Sequence, residues 1–159
     1  MLGIFGIAAT LAGVNALIRE LLATEPAAAQ KRLDALTPEE LLAPAKVVSR
    51  DDALLVKAAL YLKHGFLDAS HKISQQVETP TGSYWHAIMH RKEGDFSNSK
   101  YWYHRVGSHP VLAALGKEFD PILLVDQCAA GGSPENARLE QAEFDALLEY
   151  TVRAAIRVI

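Results

Sequence analysis

From Asp51 onward the apolar residues recur every three or four positions, the spacing that lines one face of an α-helix. Leu54, Leu55, Ala58, Ala59 and Leu62 form one such stripe, with Asp51 as its expected cap and Gly65 as its stop. A second helix is expected from Leu67 to Val77, closed by Pro80. The design then repeats. Ser83 is expected to cap a helix ending at Gly94, and Ser97 one ending at Gly107 before Pro110. The last long stripe holds Leu139, Phe144, Leu147, Leu148, Val152 and Ile156, opened by Ser133-Pro134-Glu135. Shorter helices are expected before Gly116 and over Ile122 to Ala129. No segment sustains the period-two alternation of a half-buried strand, so essentially no sheet is predicted.

Upstream the pattern is less regular. Leu11, Val14, Ile18, Leu21 and Leu22 share a helical face, and Thr24 and Pro26 break it. Ala27 to Leu36 is alanine-rich and helix-favouring. Thr37-Pro38-Glu39-Glu40 reads as a capping box with proline in the first turn. Met1 to Ile18 is apolar throughout, yet it has no positive start and runs straight into Arg19 and Glu20. It reads as a buried or partner-facing helix, and a homodimer through it is the expectation, since such a stripe left open would aggregate. A membrane role is disfavoured.

Gly65 and Gly94 recur at a spacing of about thirty residues, as do Pro80 and Pro110. Ala58 and Ala87 hold matched places before the glycines, and Ser70 and Ser99 matched places after them. Small residues so placed let two helices of a hairpin approach closely. The expected fold is all-α: a compact bundle of about seven to nine helices built on two tetratricopeptide-like αα-hairpins. One domain spans 1–159, with N-terminal helices over 1–50, the hairpins over 51–110 and capping helices over 111–159.

Chain length and composition fit that picture. The 159 residues are 50% hydrophobic and 22% charged, enough for a core without covalent staples. A net charge of -3 gives no reason to expect nucleic acid. The single Cys128 admits no internal disulfide, and a reducing, cytoplasmic setting is expected.

Candidate chemistry concentrates in one stretch, GSYWHAIMHRKEGDFSNSKYWYHRVGSHP, which holds four of the six histidines and both tryptophans. His86, His90 and Glu93 fall on one helix face and could hold a divalent metal. The competing reading gives the two histidines ordinary partners in the hairpin interior, namely Ser99, Asn98 or Tyr101. Asn98, Tyr101, Trp102 and Arg105 share a face of the next helix and, with Arg91, could line a pocket for a small anion or planar ligand. The alternative makes Tyr101 and Trp102 core and pairs Arg105 with Glu93 or Asp95. Ser83, behind Thr79-Pro80-Thr81-Gly82, could add an anion contact at a helix start. His64 and His71 read as exposed residues flanking a turn, and Cys128 as inert.

The Tyr84-Trp85-His86 stretch followed by Asp95-Phe96-Ser97-Asn98 resembles an uncharacterised family of bacterial and fungal proteins, over roughly residues 52–150. The resemblance implies a true domain and brings no activity with it. The functional expectation ranks a helical module binding a protein or peptide first. A small-molecule or metal-binding protein, with catalysis left open, comes second. The chain carries no nucleophile elbow, dinucleotide fingerprint or zinc-ribbon spacing, and the balance leans against catalysis.

Overall fold

The computed structural model describes residues 14–156, which form ten helices and no strand. They are α1 (Ala16–Ala23), α2 (Pro26–Ala35), α3 (Pro38–Leu42), α4 (Arg50–Lys63), α5 (Leu67–Ser74), α6 (Pro80–Glu93), α7 (Phe96–Val106), α8 (Pro110–Leu115), α9 (Pro121–Ala129) and α10 (Pro134–Ile156). The all-α expectation holds, with one helix more than the upper bound.

The two hairpins are α4 with α5 and α6 with α7, and α5 also packs against α6. Both fold back at a glycine with positive φ, 83° at Gly65 and 86° at Gly94. Glycine enters that region without the Cβ clash that penalises other residues. Six helices begin with proline at their first position, Pro80 and Pro110 among them. These prolines therefore open the next helix rather than close the previous one, because their missing N–H costs nothing there. The caps shift accordingly. Thr79, not Ser83, caps α6, accepting from Gly82 N at 3.0 Å. Asp95, not Ser97, caps α7, and Ser49, not Asp51, caps α4. The Thr37–Glu40 capping box is present as read.

Helix α6 is the middle of the molecule. Every residue from Thr81 to Arg91 is buried, with α4, α5 and α7 packed around it. Trp85 reaches α10, donating its indole N–H to Thr151 Oγ1 at 3.0 Å. At Gly82 the approach of the preceding loop is closest: a Cβ there would sit 2.0 Å from the Val77 carbonyl oxygen. Helices buried all round are usually apolar all round. This one instead carries Thr81, Ser83, His86, His90 and Arg91 inward. Each buried polar group needs a partner, and how each finds one decides where a site can be.

Ile18 and Leu21 of α1 are fully buried in this chain's own core. Each contributes about 1.5–3 kcal/mol by leaving water. They are not free to face a partner. Val14 is buried with them and Leu22 packs against the same core, while Leu11 and the residues before it lie outside the described residues. Among those residues no helix is long and apolar enough to cross a membrane.

Candidate metal centre

His86 is 3% exposed, and neither of its ring nitrogens has a hydrogen-bond partner. Its ring lies between two others, stacked on Trp102 at 4.0 Å and on His90 at 4.7 Å between centroids. The His71 ring from α5 closes the third side, 4.7 Å from His86 and 5.3 Å from His90. One nitrogen from each of His71, His86 and His90 lies within 4.8 Å of the others. Burial, with His90 and His71 adding to it, pushes the His86 imidazole down to about 3, so it is neutral at ordinary pH. A buried polar atom without a partner costs about 1–3 kcal/mol.

Glu93 stands beside this trio. Its carboxylate accepts from His90 Nδ1 at 2.6 Å. That bond places the proton on Nδ1 and leaves the Nε2 lone pair of His90 free, as carboxylates behind metal-binding histidines do. Of the expected His86, His90 and Glu93, the first two lie with His71, read from sequence as exposed, and Glu93 lies with His90 and Asp95 in a second close group. The reason is topological. Glu93 is one turn beyond His90, at the end of α6, while α5 folds back beside α6 through residues 75–79 and brings His71 across. An antiparallel α5–α6 pair was the one signal that could have found it.

The hairpin-interior partners proposed for the histidines are engaged elsewhere. Ser99 donates to the Ala87 carbonyl at 2.7 Å. Asn98 is exposed and donates to Asp95 Oδ2 at 2.6 Å. Tyr101 is 52% exposed. The fully partnered histidine of this region is His109. Its Nδ1 accepts from Val111 N at 3.2 Å, which leaves Nε2–H to donate to Thr81 Oγ1 at 3.0 Å. Burial lowers its basicity too. His64 is also tied, with Nε2 2.8 Å from the Leu21 carbonyl oxygen.

Arg91 leaves the expected ligand face altogether. It is buried, with Nη1 2.8 Å from Glu143 Oε2 and donating to the Tyr103 hydroxyl at 2.7 Å, while Nε reaches Glu140 Oε1 at 3.0 Å. Tyr103 in turn donates to Glu143 Oε1 at 2.6 Å. The carboxylates hold the Arg91 guanidinium firmly charged, and burial beside Glu143 keeps the Tyr103 phenol protonated. Cys128 is half-buried, and burial raises its thiol, which disfavours the reactive thiolate.

Trp102 and Arg105 do share a wall with Ser83, in a cavity of about 350 Å³ between α5, α6 and α7. The Arg105 guanidinium lies over Trp102 at 5.4 Å and over Tyr101 at 5.8 Å, rather than on Glu93 or Asp95. Ser74 and Ser83 line the cavity, and each is about one helical turn from a member of the histidine trio.

Comparison with family models, curated proteins and solved structures returns no match.

Proposed function

We propose that this chain binds one divalent first-row transition ion, of the zinc class, through His71, His86 and His90. The observation that carries this is His86. It is a neutral, buried imidazole with both nitrogens unpartnered, facing two further imidazoles. Histidine nitrogens suit zinc, copper and nickel, and modest side-chain rotations bring nitrogens within 4.8 Å onto one tetrahedral ion. Three protein ligands leave a fourth position open, the arrangement of ions that meet water or a small ligand. Glu93 supports the reading as the outer carboxylate that orients His90.

Zinc titration of chelator-treated protein by calorimetry tests it. One ion per chain is expected, with binding lost in His71→Ala and in His86→Leu. Zinc that fails to bind, or binds equally well to both variants, overturns the proposal.

A second reading keeps the helical interaction module. It is supported by an apolar cleft between α8 and α10, lined by Val111, Ala114, Ala146 and Tyr150. A peptide selected by display against the whole chain should lose binding in Ala114→Arg. Selection that yields no peptide sensitive to that change ends this reading.

A further inference from the structure

The cavity beside the histidines has a chemistry of its own. Its volume of about 350 Å³ is within the usual range for small-molecule sites. One wall is the Trp102 indole, and the Arg105 guanidinium lies over its ring at 5.4 Å. Among the described residues Arg105 meets no carboxylate; its hydrogen bond goes to the Tyr101 hydroxyl at 3.3 Å. A guanidinium over an aromatic face, without an acid beside it, is a prepared receptor for a carboxylate. Deeper in, Ser83 is 8% exposed and its hydroxyl makes no hydrogen bond among the described residues. Thr79, the α6 cap, lies on the same wall. Glu78 stands at the mouth as well, and its negative charge disfavours a dianion there.

We infer that this cavity binds a small molecule carrying a single carboxylate, with the carboxylate on Arg105 and Ser83 and an apolar or aromatic body against Trp102. Two kinds of molecule share that chemistry: a simple aromatic acid, and an amino acid whose ammonium faces Glu78. The site stands without a metal at the histidines, so it is tested on chelator-treated full chain. Its failure then leaves the zinc titration untouched.

The probes are benzoate, phenylalanine and, as the neutral control, benzamide, each titrated while the Trp102 indole N–H is followed by NMR. Benzoate or phenylalanine shifts that resonance saturably, and benzamide binds at least about tenfold more weakly, as the loss of a charge-assisted contact requires. Arg105→Gln weakens the carboxylates by about tenfold or more with an unchanged Tm, since Arg105 is exposed. Glu78→Gln distinguishes the two kinds: phenylalanine loosens if its ammonium meets Glu78, which fits an amino acid, and tightens as benzoate does if the site takes a simple acid. Neither acid binding at millimolar concentration, benzamide binding as well as benzoate, or Arg105→Gln changing nothing would each overturn the proposal.

Discussion

His90 and Arg91 are neighbours in the chain, and their side chains leave α6 into two polar clusters of opposite character. On one side Arg91, Glu140, Glu143 and Tyr103 form a charge-paired network joining α6, α7 and α10. On the other, His71, His86 and His90 converge with nitrogens to spare. Both are buried polar clusters on the central helix. In the first, a guanidinium lies between two carboxylates and a phenol, and Glu143 Oε2 is held by the Arg91 charge at 2.8 Å without a hydrogen bond. The second is three imidazoles, each with one lone pair, that make no hydrogen bond to one another; of their nitrogens His90 Nδ1 is answered, by Glu93. Buried polarity alone does not mark a site; unpartnered nitrogens on converging imidazoles do.

The sharpest way to break this contrast is to open the charge-paired network. Glu143→Ala leaves the Arg91 charge buried without its nearest carboxylate, and the loss expected is about 3–5 kcal/mol in chemical denaturation. Combining Arg91→Met with Glu143→Leu removes both charges and should recover most of that loss. A single substitution costing under about 1 kcal/mol would mean that water already reaches the pair, which exposed ion pairs show.

The histidine cluster should respond to acid instead. His86 is held down to about 3 in the folded chain, against about 6.5 for a histidine in the unfolded one. Between those values the unfolded state binds more protons, so stability falls as pH drops through the window. The slope from this one group is at most about 1.4 kcal/mol per pH unit. His109 contributes in the same direction, because burial lowers it as well. His86→Leu should flatten the metal-free profile between pH 6 and 4, roughly, while keeping or raising stability at neutral pH, since it deletes unpartnered polar atoms. An equally steep profile in that variant would place the acid sensitivity elsewhere.

Much of the scaffold behind this contrast was legible from the amino-acid pattern. Glycines at Gly65 and Gly94 and apolar stripes at helical spacing announce helix pairs, because backbone strain and burial leave a local trace. The caps were less legible: a serine or threonine at either side of a proline serves equally well, and Thr79 rather than Ser83 took the role because Pro80 fits the first turn. The candidate site was half legible. His86 and His90 share a helix face, which spacing reveals, but His71 arrives from another hairpin, and Glu93 is drawn to the nearest imidazole. Arg91 looked like a ligand contact because its counter-charges, Glu140 and Glu143, lie some fifty residues away on α10. Contacts of that separation leave no periodicity to read.

Zinc sharpens the comparison further. An ion that binds only the folded chain stabilises it by about 2.7 kcal/mol when free zinc is a hundredfold above its Kd. Thermal unfolding should show that gain in the native chain and in Arg105→Gln. It should vanish in His71→Ala, because two imidazoles on one helix make a much weaker site. A gain of equal size in His71→Ala would return the site to His86 and His90 alone and cut α5 out of it.

The smallest effect expected is also the one that separates ligand from support. If Glu93 only orients His90, Glu93→Gln keeps all three imidazoles and loses a charge-assisted hydrogen bond. Zinc affinity should then fall by about ten- to a hundredfold with stoichiometry intact. The amide can still accept from Nδ1–H through its carbonyl oxygen, so Glu93→Gln should lose less than Glu93→Ala. If instead Glu93 swings onto the ion, replacing His71 as a ligand, the order inverts: Glu93→Gln is as damaging as removing a histidine, and His71→Ala is mild. Cobalt substitution distinguishes the two by its visible absorption, since the energy of its ligand-field bands follows the number of nitrogen donors. Under the orienting role those bands stay in place in Glu93→Gln and only the affinity changes, because a residue acting through His90 can alter how well the imidazole is held without altering what touches the metal.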